Sequence, residues 1–200
     1  MSSVRGVSAA RPEPRAAPSP AVLGMLVFIS SEATFFLFLL ISYISYRNEN
    51  LQGPDASQAL DVGRTAIFSV CLFVSSATIA LAAARFRRRD GRGFELWLAL
   101  TILLGLVFLL GQVWEFHDLG AKNVTLSRNL FGSTFFTLTG FHGLHVAIGL
   151  VLLGLALALH RSGDIDTAEN GAWRSIEYYW HFVDAVWVVI FSAVYLWSLA

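Results

Sequence analysis

Cysteine is almost absent from this chain. The one thiol, Cys71, sits inside an apolar run, so no disulfide can close within the 200 residues and no cysteine-ligated zinc site can form. Charge is scarce too: 14% of residues are charged, and fourteen basic side chains cancel fourteen acidic ones, so no net field points to nucleic acid or an acidic substrate. Catalytic strings are also missing. There is no HExxH pair for a zinc hydrolase, no paired Glu-x-x-His for a di-iron bundle, and no phosphate-binding glycine pattern. No internal repeat is visible, which argues against the duplicated halves of many transporters.

What fills the chain instead is apolar residues, 56% of the total, with a mean hydropathy of +0.61. Five stretches, at about 22–46, 65–84, 94–116, 130–159 and 176–199, approach or exceed the roughly 20 residues that cross a hydrocarbon core. They predict an all-α fold, a polytopic membrane bundle of five transmembrane helices spanning residues 21–200. Residues 1–20 combine four prolines with three arginines and lack the apolar stretch of a secretory signal, so they read as a disordered basic tail.

Arginine placement sets the expected orientation. The tail (Arg5, Arg11, Arg15), the loop after the second helix (Arg85, Arg87, Arg88, Arg89, Arg92) and the loop after the fourth (Arg161, Arg174) fall on one side. The other side collects only Arg47, Arg64, Lys122 and Arg128. The positive-inside rule then puts the N-terminus in the cytoplasm and, after five crossings, the C-terminus outside. The same rule, together with anionic headgroups, accounts for the arginine cluster without nucleic acid.

Polar groups inside these helices carry the functional signal, because ionisable side chains in a bilayer are costly and rare. Glu32 lies well inside the first helix, with Phe28, Ile29, Phe35 and Phe36 one turn away. Desolvation there favours the neutral acid, so Glu32 is expected to be protonated at pH 7. A carboxyl that only hydrogen-bonds a neighbouring helix is the bland alternative.

On the third helix Gln112 and Glu115 share a face near the external end, where they suit hydrogen bonding to another helix or to interfacial water. Trp114 and His117 beside them suit the interface itself. The fourth helix places His142 and His145 three residues apart among Gly140, Gly143, Ala147 and Gly149, as in a helix packed inside protein. Two imidazoles at that spacing can bind a metal in principle, and hydrogen-bonded structural histidines are the other reading. The fifth helix aligns Glu177, His181 and Asp184 on one stripe, which reads as a hydrogen-bonded or ion-paired chain. Tyr178, Tyr179 and Trp180 are expected at the cytoplasmic interface and Trp197 at the external one. From the residues alone the chain is a polytopic membrane protein with a polar seam and a buried protonatable glutamate.

The strings GMLVFISSEATFF (24–36), GSTFFTLTGFHGLHVAIG (132–149) and YWHFVDAVW (179–187) closely resemble the signature stretches of the cytochrome c oxidase subunit III family, in the same order. The resemblance implies the shorter five-helix bacterial form, lacking the two leading helices that complete a lipid-holding cleft in seven-helix members. Glu32 matches the family's carbodiimide-reactive carboxyl. The implied role is that of a subunit without haem, copper or other redox centre, those cofactors residing in partner subunits. It would pack against subunit I, in one complex with subunit II and an electron donor such as cytochrome c. With structural phospholipid it would support proton uptake at the D pathway, protect the enzyme during turnover and offer oxygen an apolar route. Related possibilities are the third subunit of a quinol oxidase and the subunit associated with nitric oxide reductases. A proton-coupled transporter and a membrane-embedded metalloenzyme are the readings from other classes.

Overall fold

A computed structural model describes residues 19–46, 60–122, 124, 130–164 and 171–197, apart from the side chains of 130 and 131. The expected basic tail therefore lies outside the described residues except at its last two positions. Among the described residues are five long helices: α1 (Pro20–Tyr46), α2 (Val62–Arg87), α3 (Gly91–Ala121), α4 (Leu130–Ser162) and α5 (Gly171–Phe191). A π-helical turn, Ser192–Leu196, prolongs α5. All five are long and apolar enough to cross a membrane.

Local chemistry explains where they begin and end. Pro20 opens α1 at the position where its missing N–H costs nothing, and the Ser19 carbonyl accepts from Leu23 N–H at 3.0 Å. Asp61 and Asp90 cap α2 and α3, each carboxylate accepting a backbone N–H three residues on at 3.0 Å. Arg89, with φ +58°, turns the chain out of α2 in the left-handed region that usually favours glycine. Asp90 N–H donates to the Arg85 carbonyl across that turn at 3.0 Å.

Several helices extend beyond the sequence expectation, at two ends by five residues. α3 continues past 116 to Ala121, and α5 starts at Gly171 rather than near 176. In both places polar residues end the apolar stretch before they end the helix. Asp118 illustrates this, since it stays helical while pairing with Arg64 of α2.

α2 and α3 form a closely packed antiparallel hairpin, and α5 touches α1, α2 and α4. α1 packs at the edge of the bundle against α4 and α5, so that 6% of its most apolar stretch is buried, against 33–44% in the other helices. The core between α3, α4 and α5 is organised by Trp173, Trp180 and Trp187, which recur every seven residues along α5 and are all buried. Trp180 fits a slot left by two glycines. A Cβ at Gly105 of α3 would stand 2.7 Å from its ring and one at Gly149 of α4 would stand 2.8 Å away.

Candidate functional site

The indoles are also tied to α2 by hydrogen bonds. Trp180 Nε1 donates to Ser75 Oγ at 3.0 Å, and Trp187 Nε1 donates to Ser69 Oγ at 2.9 Å. Each serine hydroxyl in turn donates to a carbonyl of its own helix, Leu72 and Thr65 respectively. Both lone-pair and proton capacities are thus used away from lipid, as the bilayer requires.

The interface expectation for Tyr179 and Trp180 is corrected here. They are buried in the bundle, eight and nine residues into α5, because Trp180 fills the glycine slot and Tyr179 lends its hydroxyl to the His145 carbonyl at 3.1 Å. Tyr178 is half-buried and Trp197 exposed.

The two histidines of α4 point to different neighbours. His142 is fully buried and stacks on Trp187, with ring centroids 4.8 Å apart, while Phe108 and Phe36 meet it edge-on. Neither of its nitrogens has a hydrogen-bond partner among the described residues. His145 lies 3.2 Å from the Glu32 carboxyl through Nε2 and 2.7 Å from the Phe141 carbonyl through Nδ1. Glu32 is therefore not the isolated carboxyl that its own helix suggests.

Hydrogen-bond logic orients the imidazole. A carbonyl can only accept, so Nδ1 carries a proton and donates to Phe141. Nε2 then faces a Glu32 oxygen at hydrogen-bond distance, so α1 and α4 are joined through this pair. Phe36, which packs edge-on against His145, also lines an apolar groove of about 400 Å³ between α1 and α5, together with Ala33, Leu37, Leu40, Val186 and Val189 among others.

A second polar cluster sits where α2 begins and α3 ends. Glu115, 4% exposed, accepts from Thr65 Oγ1 of α2 at 2.8 Å and from the Tyr195 hydroxyl at 2.7 Å. The π-helical turn after α5 places Tyr195 there. Arg64 pairs with Asp118 one turn away and covers the Trp114 ring at 5.2 Å. Gln112 donates to the Thr139 carbonyl of α4 at 2.5 Å, its amide lying over Gly143. Gln112 and Glu115 thus bind α3 to three other segments. Tyr195→Phe is expected to lower the stability of the detergent-solubilised subunit by about 1–2 kcal/mol, a loss that Thr65→Ala would deepen less than additively. Chemical unfolding of the single and double variants measures both values.

The stripe on α5 is rearranged from a simple chain. His181 and Asp184 do not bond each other; both reach Ser76 of α2, with His181 Nδ1 at 3.2 Å and Ser76 Oγ donating to Asp184 Oδ2. Glu177 joins neither, and makes no hydrogen bond among the described residues. Sequence reasoning passed over Ser69, Ser75, Ser76, Thr65 and Tyr195. The signal available was the seven-residue tryptophan spacing, which demands polar partners for buried indole N–H groups.

Among the described residues, no three His, Cys, Asp or Glu side chains converge as metal ligands would.

Residues 17–199 match the family described as Cytochrome c oxidase subunit III. The chain is 35% identical over 181 residues to a cytochrome c oxidase subunit 3 from Synechocystis sp., covering 90% of this chain and 76% of that protein. It is 36% identical over 180 residues to the subunit from Thermostichus vulcanus, covering 90% and 88%. With the subunit from Bacillus subtilis the figures are 33% over 178 residues, 87% and 84%.

Proposed function

Because this chain belongs to the cytochrome c oxidase subunit III family, and so is a multi-pass membrane subunit of an oxidase complex, we propose that it is the non-catalytic core subunit of a proton-pumping haem-copper oxidase. It packs against subunit I, in one complex with subunit II, and lies in a bacterial cell membrane with its N-terminus cytoplasmic and C-terminus external. Haem and copper reside in partner subunits. The donor geometry supports that assignment: His142 is enclosed by aromatic rings and His145 is committed to Glu32 and Phe141.

One observation carries the reading. The three family-like stretches, from α1, α4 and α5, meet at one point, where Glu32 pairs with His145, Tyr179 binds the His145 carbonyl and Phe36 packs edge-on against His145 and Phe182. Phe36 and Phe182, which meet at this point, also line the apolar groove, where an acyl chain of a phospholipid fits the lining chemistry. The groove's lipid and this polar centre would stabilise subunit I near its proton-uptake entrance and protect it during turnover.

Purifying the complex from native membranes through a tag on this chain tests the proposal. Haem A absorption and oxygen consumption driven by reduced cytochrome c are the expected result. Quinol-only activity would move the chain to the sister branch, and haem-free material without an oxidase partner would overturn the reading in favour of a transporter.

A further inference from the structure

α5 differs from the other helices in what it shows to its surroundings. Its tryptophan column faces inward, while Arg174, His181 and Val188, again seven residues apart, lie on an outer stripe that also takes in Glu177 and Tyr178. Arg174 and Glu177 are near the start of the helix, where polar groups reach the interface; Arg174 is satisfied by the Tyr178 hydroxyl at 3.1 Å. His181 is another matter. It is ten residues from the start, about 15 Å along the axis, and so near the middle of a hydrocarbon core about 30 Å thick.

The ring of His181 is half-buried and its tautomer is set from inside. The Ser76 hydroxyl gives its only proton to Asp184, so it must accept from His181 Nδ1, which leaves Nε2 as a hydrogen-bond acceptor. Nε2 has no partner among the described residues, and it is not shielded from the molecular surface. A lipid tail offers no donor to it, and an unpaired acceptor at that depth is costly.

Building on the reading of this chain as an oxidase subunit, we propose that the outer stripe of α5, centred on His181 and Val188, is the docking face for a transmembrane helix of a partner oxidase subunit, which presents a hydroxyl, amide or indole donor to His181 Nε2. The stripe fits such a helix because Val188, one heptad further on, is exposed and apolar, giving an apolar contact beside the polar position at His181. A polar contact within such a seam fixes the register and rotation of one helix on another.

The test uses the whole complex, isolated through a tag on the haem-bearing subunit. A photoreactive benzoylphenylalanine at Val188 is expected to form an adduct with a partner subunit. In the same complex, His181→Phe is expected to raise the fraction of this chain lost under a detergent challenge by about threefold, while His181→Gln, which restores an acceptor, is retained like the natural chain. A lipid-only adduct from an intact haem-bearing complex, or equal retention of His181→Phe and the natural chain, overturns the inference. Failure to isolate any haem-bearing complex would instead overturn the oxidase reading on which it rests.

Discussion

Trp180→Ala is expected to strip this subunit from the complex. The indole is fully buried, bonded to Ser75 and held between Gly105 and Gly149, so three helices close on the space it fills. Truncation of a buried tryptophan costs about 3–5 kcal/mol, because the surrounding helices relax only partly into the cavity. Here Ser75 would also lose its donor. The slot predicts a second-site effect as well. Gly149→Leu alone overpacks the interface at a cost of about 1–3 kcal/mol, yet in the Trp180→Ala background its side chain enters the vacated space, so the double variant should be less damaged than the sum of the two. Quantifying this chain in complexes isolated through a tagged partner gives all three values. Full retention of Trp180→Ala would show that the glycine slot is not a packing constraint.

The second large effect concerns Glu32. Carbodiimides attack protonated carboxyls from an apolar phase. Glu32 lies 3.2 Å from His145 Nε2 one turn from the groove-lining Phe36, and its side chain is 22% exposed. Asp184 and Glu115 are both 4% exposed and lie within the bundle. Labelling of the whole complex, read by peptide mass, should therefore fall on Glu32 and vanish in Glu32→Gln. That variant keeps the local structure, since an amide N–H can donate to His145 Nε2 in place of the acid. Glu32→Ala cannot, and it should shorten the number of turnovers the oxidase completes before inactivation, with Glu32→Gln close to the natural enzyme. Label on Glu115 or Asp184 instead would mean that the groove does not admit the reagent to Glu32.

How far the sequence reached is best seen in single residues. Hydropathy alone found the five helices, because each carries an apolar stretch long enough to span the bilayer, and it placed several ends short because helices outlast their apolar stretches. Glu32 stood out through its cost in lipid, but its partner did not. His142 and His145, three residues apart, differ by only about 60° around the helix, and that rotation is enough to send one to Trp187 and the other to α1. Which neighbour lies on each side is a tertiary fact with no local trace. Tyr179 and Trp180 misled for a related reason: the rule that aromatics mark interfaces yields when glycines on two facing helices open a slot of matching size. The serines of α2 were silent because a hydroxyl in an apolar run commonly serves its own helix, and these do so while accepting an indole proton as well.

The remote partnership of α1 has a consequence for biogenesis. Glu32 and His145 are separated by 113 residues, and at a synthesis rate of about 5–20 residues per second the carboxyl waits on the order of ten seconds before its imidazole has been made. During that interval the first helix has neither its electrostatic complement nor the helices it leans on. Until α4 and α5 arrive, α1 stands with its carboxyl unmatched, so its final packing can form only after the fourth helix has been made.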